Sequence, residues 1–519
     1  MITLLSITVF LLVFALSSRL YFRLDLTADR KYSLSMTSKN LYREISDIVR
    51  ITYFVSDRLV ASHPLPNEIT GLLREYAAYS RGKIQFAVKD PVKSGLTAEM
   101  DYLGIYPQII RVIENNEILT TDVYTGIVIE YLERTETIPL VFSRETLEYD
   151  ITSRILLAVQ GRVKELGIII GDSTKQWNTD YSLLFFELGR WGFRTRILIP
   201  GEEIPSNLPA LFVLGGSEDL DAWALYRIDH YIQTGGNVLF AQKGLYTDTR
   251  SSLETGYLLD QGLLAMIASY GAAVLPALVL DRASLQIGIQ GANSVSYPLW
   301  ISVQDENMNR QSPVMRNQNS LCLYWASPLE LAPPPSVTAE ILFTSTADAW
   351  LEIRDFTLDP GNVFFMEQDA DLTMGRKILG ACLYGTFPCF FAGMPKPQRE
   401  GSLAELPDMP VSAGQSRLIV VGDSDFAGSM MEAGGGEEGN LGFLLKAADW
   451  LSGDETGIGL YRGETGRLDR IADPVRRKAA MDFSKNFNVF AIPGFIILAG
   501  LLITVKRKRT AGSGGRGAD

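Results

Sequence analysis

The stretch "KELGIIIGD", Lys164–Asp172, decides the fold. Its Leu-Gly-Ile-Ile-Ile run shows no alternation of apolar and polar residues. A strand wet on one face alternates, whereas a strand covered on both faces reads as a continuous apolar run. The run therefore predicts a central strand of a parallel sheet. Downstream, "YSLLFFELGRWGF" (Tyr181–Phe193) predicts a helix, "RTRILIP" (Arg194–Pro200) a strand and "PALFVLGG" (Pro209–Gly216) another. "DAWALYRIDHYIQTGG" (Asp221–Gly236) predicts a helix stopped by paired glycines, and "NVLFA" (Asn237–Ala241) a further strand. Strands alternating with helices of this length imply βαβ units and a doubly wound sheet. The glycine pairs Gly215-Gly216 and Gly235-Gly236 mark a strand end and a helix stop, and need no ligand to explain them.

Asp281 to Pro335 breaks this rhythm with Asn, Gln, Ser and Pro, and reads as an insertion of strands and loops. Order returns with strand-like "AEILFTSTADAWLEI" and "KILGACLYGTF". "RLIVVGDSDFAG" then reads as a buried strand running into a loop, "EAGGGEEGN" as a flexible loop, and "GNLGFLLKAADWLSGDE" as a helix ending near Gly453. Upstream, residues 37–161 read as a separate unit. "MTSKNLYREI" is helical with Ser35 as N-cap, "DIVRITYFVS" a strand, "PNEITGLLREYAAYSRG" a helix and "KIQFAVKDP" a strand. A strand meander with a turn at Asn115-Asn116 comes next, and "SRETLEYDITSRILLAVQG" closes the unit as a helix. That order suits a small mixed sheet, thioredoxin-like by analogy.

Both ends are apolar. Met1 to Phe22 is long enough to cross a bilayer if Arg19 snorkels. A small-x-small site at Ala15–Ser17 admits a cleaved leader instead, but no Lys or Arg precedes the run. "VFAIPGFIILAGLLITV" (Val489–Val505) is uncharged and stops at "KRKR", which favours a membrane span with a cytoplasmic tail. The 519 residues carry a net charge of −12, which speaks against a general nucleic-acid binder. Three cysteines, Cys322, Cys382 and Cys389, form neither a disulfide framework nor a zinc spacing. Two histidines, His63 and His230, leave Ser-His and Cys-His catalysis little material.

The phosphate-binding G-x-x-x-x-G-K-[ST] string is absent, and "GDSTK" (Gly171–Lys175) lacks its loop length. "VVGDSDF" is the sharpest local string. A D-x-D after a buried strand suits a phosphatase in which Asp423 attacks and Asp425 acts as acid and base. That chemistry also needs a positioned lysine and further acids downstream, where only one helix remains. The structural reading, with Asp423 and Ser424 hydrogen-bonding the turn and capping the segment after it, is favoured. Asp219, Asp221 and Asp229 read as a solvated helix face, and Trp177 and Trp191 as core rather than as a sugar platform.

The ordered strings "RLDLTADRKYSLSMTSKNL", "GIVIEYLERTETIPLV", "LEYDITSRI", "VLGG", "LIVVGDSDF" and "GNLGFLLKAADWLSGDE", closed by a basic-stopped span, resemble the GldG-like family of ABC-transporter auxiliary proteins over nearly the whole chain. The resemblance points to Asp25, Thr27, Tyr32, Leu34, Glu148, Tyr149, Gly215, Gly216, Asp423, Ser424, Asp425, Phe426 and Asn440 as motif positions of structural or interface character. It implies a transmembrane helix at 1–22, an extracytoplasmic mixed α/β domain at 23–161, and a doubly wound, amidotransferase-like α/β domain at 162–462. A neck at 463–485, a second span at 486–505 and a cytoplasmic tail at 506–519 complete the chain. It further implies a non-enzymatic accessory subunit in the cytoplasmic membrane, without cofactor, metal or catalytic residues. Its partners would be an ABC permease and a separate P-loop ATPase, with relatives in gliding-motility transporters. The alternatives are a membrane-anchored receptor for glycan or peptide, bound at the strand ends near Gly215, Gly216 and Gly422, and an Asp-dependent hydrolase.

Overall fold

The computed structural model describes residues 33–453 except 115–116, 143–146, 162–163, 218, 249–252, 289–293, 362–372 and 400–404, together with 478–479, 482–483 and 485. The spans expected at 1–22 and 486–505, the tail, and Asp25, Thr27 and Tyr32 lie outside the described residues. Among the described residues no helix is long and apolar enough to cross a membrane. The chain divides into two compact units, Met1–Val163 and Lys164–Asp519.

The first unit runs α1 (Met36–Asn40), β1 (Val49–Val55), α2 (Asp57–Ser62), α3 (Leu65–Tyr79), β2 (Ile84–Lys89), α4 (Thr97–Tyr102), β3 (Gln108–Glu114), β4 (Glu117–Val123), β5 (Thr125–Tyr131), β6 (Arg134–Ile138) and α5 (Leu147–Gln160). Its mixed sheet has the order β2-β1-β5-β6, with β1 parallel to β2 and antiparallel to β5. The expected meander is interrupted, because among the described residues β3 and β4 pair only with each other. The reason lies in side-chain type. β5 is buried along almost its whole length and takes the slot beside β1, whereas β4 carries Thr120, Thr121 and Asp122. Ser35 caps α1 by accepting from the Ser38 N–H. The start of this unit is then locked to its end. Leu34 N–H donates to Glu75 Oε2 (3.2 Å), Ser35 N–H to Glu148 Oε1 (2.6 Å), and the Ser38 and Thr152 hydroxyls meet at 3.0 Å. Leu34 and Tyr149 are both buried.

The second unit begins with β7 (Lys164–Ile170), α6 (Ser182–Arg190), β8 (Phe193–Ile197), β9 (Ala210–Leu214), α7 (Ala222–Gln233) and β10 (Asn237–Ala241). A hairpin of β11 (Leu245–Asp248) and β12 (Glu254–Tyr257) leads to α8 (Gly262–Ser269), β13 (Ala272–Val274) and β14 (Leu278–Asp281). Next come β15 (Ser284–Ile287), β16 (Val295–Val303), β17 (Leu321–Tyr324), β18 (Leu329–Leu331), β19 (Val337–Thr344), β20 (Ala349–Glu352) and β21 (Ile378–Gly385). The unit ends with β22 (Ser416–Val421), α9 (Met430–Ala433) and α10 (Glu437–Leu451).

Five strands are parallel in the order β8-β7-β9-β10-β22, the doubly wound 2-1-3-4-5 arrangement. The sheet is not purely parallel. β21 joins β22 antiparallel, and β18, β13 and β19 extend that side. The insertion is likewise not a separate piece: β15-β16-β17 form a small sheet, β14 pairs with β20, and β18 enters the main sheet. "EAGGGEEGN" is mostly helical, because the fully buried Met431 and Asn440 hold α9 and α10 on the core, leaving Gly434–Gly436 as the link.

In this topology ligands usually sit where strand order reverses, between the ends of β7 and β9. Here main chain fills that crevice. Gly216 has φ +82°, and a Cβ on it would lie 2.0 Å from the Gly171 carbonyl carbon. A Cβ on Gly422 would lie 2.0 Å from Ser327 O. Main chain therefore packs tightly where the strand-end cleft was expected near Gly215, Gly216 and Gly422: Gly216 meets Gly171, and Gly422 meets Ser327.

Gly216→Ala should lose about 3 kcal/mol or more, because positive φ and backbone collision add. Gly435→Ala, with φ +76° and nothing within 4 Å, should lose only about 1 kcal/mol. Urea unfolding of both variants checks the ranking; equal losses would mean that the Gly171 and Gly216 loops do not touch.

Candidate functional site

The polar centre of the second unit lies at the carboxyl edge of the parallel strands. β22 ends at Val421, and Gly422 leads on to Asp423 and Asp425, both buried. Asp423 Oδ1 accepts the Asp425 N–H (2.7 Å), and its Oδ2 accepts the Tyr324 N–H (2.7 Å). Asp425 is gripped by two lysines, Lys175 from the loop after β7 at Oδ1 and Lys243 from the end of β10 at Oδ2. Lys243 also lies 3.8 Å from Asp423 Oδ1 and sits over the Trp325 ring, 5.1 Å from its centroid. Asn440 on α10 completes the group. Its Oδ1 accepts the Cys322 N–H, and its Nδ2 donates to the carbonyls of Cys322 and Phe426, all at 2.9 Å.

Burial sets the electrostatics. Burial would raise the Asp425 carboxyl, but the two ammonium groups outweigh it and hold the carboxyl below the ordinary range. Burial likewise opposes charge on Lys175, and Asp425 outweighs it, so the ammonium is held above its ordinary value. Asp423 moves the other way: burial raises it, Lys243 opposes, and the Asp425 charge adds to the rise. Burial pushes the Tyr181 phenol up to about 12. These carboxylates are committed. Asp423 is fully buried with both oxygens taken by backbone N–H groups, and Asp425 has both oxygens on lysines. Each of these four oxygens therefore already accepts a hydrogen bond within the protein. Among the described residues no three His, Cys, Asp or Glu side chains converge.

The structure brings Gly215, Ser424, Asp423, Asp425, Phe426 and Asn440 together at this edge. Ser424 does not cap as expected: it stands at the N-cap position of a short 3-10 turn, Asp425–Ala427, without a side-chain cap bond. Asp423 holds the turn instead, through the Asp425 N–H. The Ser424 Oγ lies near Gly215, 3.9 Å from where a Cβ would stand. Phe426 is buried against Phe443 (centroids 6.0 Å). Leu34, Glu148 and Tyr149 belong to the first unit. Asp229 is no solvated helix residue. It is fully buried and accepts from Tyr270 Oη (2.8 Å), Gln233 Nε2 (3.1 Å) and the Phe391 N–H (3.1 Å). Asp221 caps α7 through the Ala224 N–H, and Asp219 accepts from the Ser173 N–H. Trp191 is core, but Trp177 is half exposed. None of the three cysteines is in a disulfide, and burial pushes the Cys382 and Cys389 thiols up to about 12 and about 11. Sequence reasoning missed Lys175 and Lys243; "GDSTK" held one of them, but its partner lies 250 residues away.

The strand ends of this doubly wound unit thus carry buried charges tied to one another and to the backbone. The chain belongs to the family described as an ABC-type uncharacterized transport system, which matches residues 163–447. That family makes it an auxiliary component of ABC transport. Residues 28–130 match a domain of unknown function, DUF7088. Over 516 residues the chain is 24% identical to an uncharacterized protein of Borreliella burgdorferi, covering 97% of each. A crystal structure described as a ThuA-like protein from Parabacteroides merdae aligns loosely, with a TM-score of 0.29 and 12% identity over 56% of this chain and 91% of that one.

Asn440→Ala should cost about 2–4 kcal/mol, because it strands both backbone groups of Cys322 and the Phe426 carbonyl. Asp425→Asn should cost about 3–5 kcal/mol at pH 7, because two buried ammonium groups lose their counter-charge. The folded Asp425 carboxyl is depressed, so its contribution is present above the unfolded value of about 4 and is lost as pH falls towards the folded value. The stability gap between wild type and Asp425→Asn should therefore narrow below about pH 4. Denaturant titrations at pH 7 and in acid test this; a gap that widens in acid contradicts the pairing.

Proposed function

We propose that the chain is a non-enzymatic accessory subunit of an export-type ABC transporter of the GldG-like kind. The apolar segments at 1–22 and 486–505 anchor it in the cytoplasmic membrane. The α/β domains lie outside the cytoplasm, and the basic tail at 506–519 lies inside. The domains bind a partner or substrate and pack against a permease served by a separate P-loop ATPase.

The observation that carries this reading is the family match over 163–447. The site geometry agrees with it: the charged side chains at the sheet edge are consumed in holding loops together. The uncharged segment before "KRKR" and the net charge of −12 support membrane attachment and speak against a nucleic-acid partner.

Isolation of the full-length chain from its native membranes in mild detergent should bring down a multi-span permease and a P-loop ATPase, identified by mass spectrometry. Recovery of intact, folded chain without either would remove the transport reading. Protease added to right-side-out vesicles should cut the α/β domains and spare the tail; the reverse pattern would invert the orientation.

A further inference from the structure

With the switch-point crevice closed, the second unit opens one strand further along. A cleft of about 390 Å³ lies beyond the ends of β7 and β8. One wall is the loop after β7, with Trp177, and the other is the end of β8 and its continuation, with Ile197 and Ile199. Trp177 is 50% exposed. Its ring leans on Phe185 (centroids 5.8 Å, 55° between planes), which fixes it without covering it. Ile197 and Ile199 are exposed as well. Large apolar side chains facing each other across an open cleft are uncommon on a surface that binds nothing.

The polar lining identifies the ligand chemistry. Gln176 and Asn178 are primary amides on the cleft wall, each able to donate and accept. Asp172 adds a carboxylate whose Oδ1 holds the Thr174 N–H and hydroxyl and whose Oδ2 lies 3.9 Å from Lys175. The lysine lining the cleft is already held by Asp425, so an anionic ligand gains little there. An aromatic face, an opposing aliphatic wall and a neutral fringe of amides match a ring with two C–H faces and an equatorial rim of hydroxyls. A nucleobase would want a second flat wall, and an apolar peptide side chain would leave the amides idle.

We infer that this cleft binds a neutral saccharide ring, stacked on Trp177 and hydrogen-bonded through Asp172, Gln176 and Asn178. The inference rests on the cleft alone and not on the transport reading, so the two fail separately.

The test uses the full-length chain in a detergent without a sugar headgroup. Calorimetric titration with cellotriose, maltotriose and chitotriose should find a neutral oligosaccharide that binds. Trp177→Ala should weaken it by about tenfold or more while leaving the melting temperature near that of wild type. Should Trp177→Ala unfold, Asn178→Ala in the intact cleft should still weaken binding several-fold. No binding by any of the three, binding unchanged in both variants, or tighter binding of adenosine or a sulfated oligosaccharide overturns the inference.

Discussion

The second unit depends on a strand edge closed by side chains instead of by another strand. β17 pairs with β16 along one edge only. On the other edge the Cys322 N–H and C=O go to Asn440, and the Tyr324 N–H goes to Asp423. An amide side chain carries one acceptor and two donors, so Asn440 copies the pairing of a strand residue and has a donor left for Phe426 O. A carboxylate acceptor makes the stronger bond, about 1.5–3 kcal/mol for a hydrogen bond to a charged group. Just beyond, the Ser327 N–H donates to Gly422 O (2.7 Å) and Ser327 Oγ accepts the Gly244 N–H (2.9 Å). The insertion is thereby sewn to the ends of both β22 and β10.

Asp425 extends that arrangement in charge. A buried ion is tolerable only when paired, and two lysines on one carboxylate pair it from opposite loops. Lys175 lies after β7 and Lys243 after β10, so a single carboxylate from β22 fixes the exits of three parallel strands. In doubly wound proteins those exits are where ligands and catalytic groups are presented. Here the charges at those exits are paired with one another. Gly171 and Gly216 meet one loop away.

How much was legible in the sequence depends on how far each signal reaches. The buried runs Lys164–Ile170, Ala210–Leu214, Asn237–Ala241 and Ser416–Val421 announce themselves locally, because a strand covered on both faces must be apolar throughout. The D-S-D string was equally visible, and so was its preference for a turn. Its partners were not: Tyr324 lies 99 residues away, Lys243 182 and Lys175 250. No periodicity encodes a pairing over such distances. Asp229 misled for the same reason. It is a lone acid between Ile228 and His230 on a helix, and only the tertiary partners Tyr270 and Phe391 reveal it as core. The irregular composition between 281 and 335 announced strands and loops but not their bounds or pairing, because those strands pack through Trp300, Tyr324 and Trp325, whose rings meet edge-on or tilted.

Lys175 joins the closed rim to the open cleft. Its ammonium belongs to the rim, while its loop carries Trp177 into the cleft. That loop is tied short: Gln176 N–H donates to Asp180 Oδ2 (2.9 Å), and Lys175 N–H to Asp172 O (3.1 Å). The segment that carries Trp177 therefore also carries Lys175, one of the two lysines on Asp425. Asp425 shares its turn with Asp423, which accepts the Tyr324 N–H at the edge of β17. The exposed wall of the cleft and the buried rim are thus joined by one short stretch of chain and by named bonds, from Trp177 through Lys175 and Asp425 to β17.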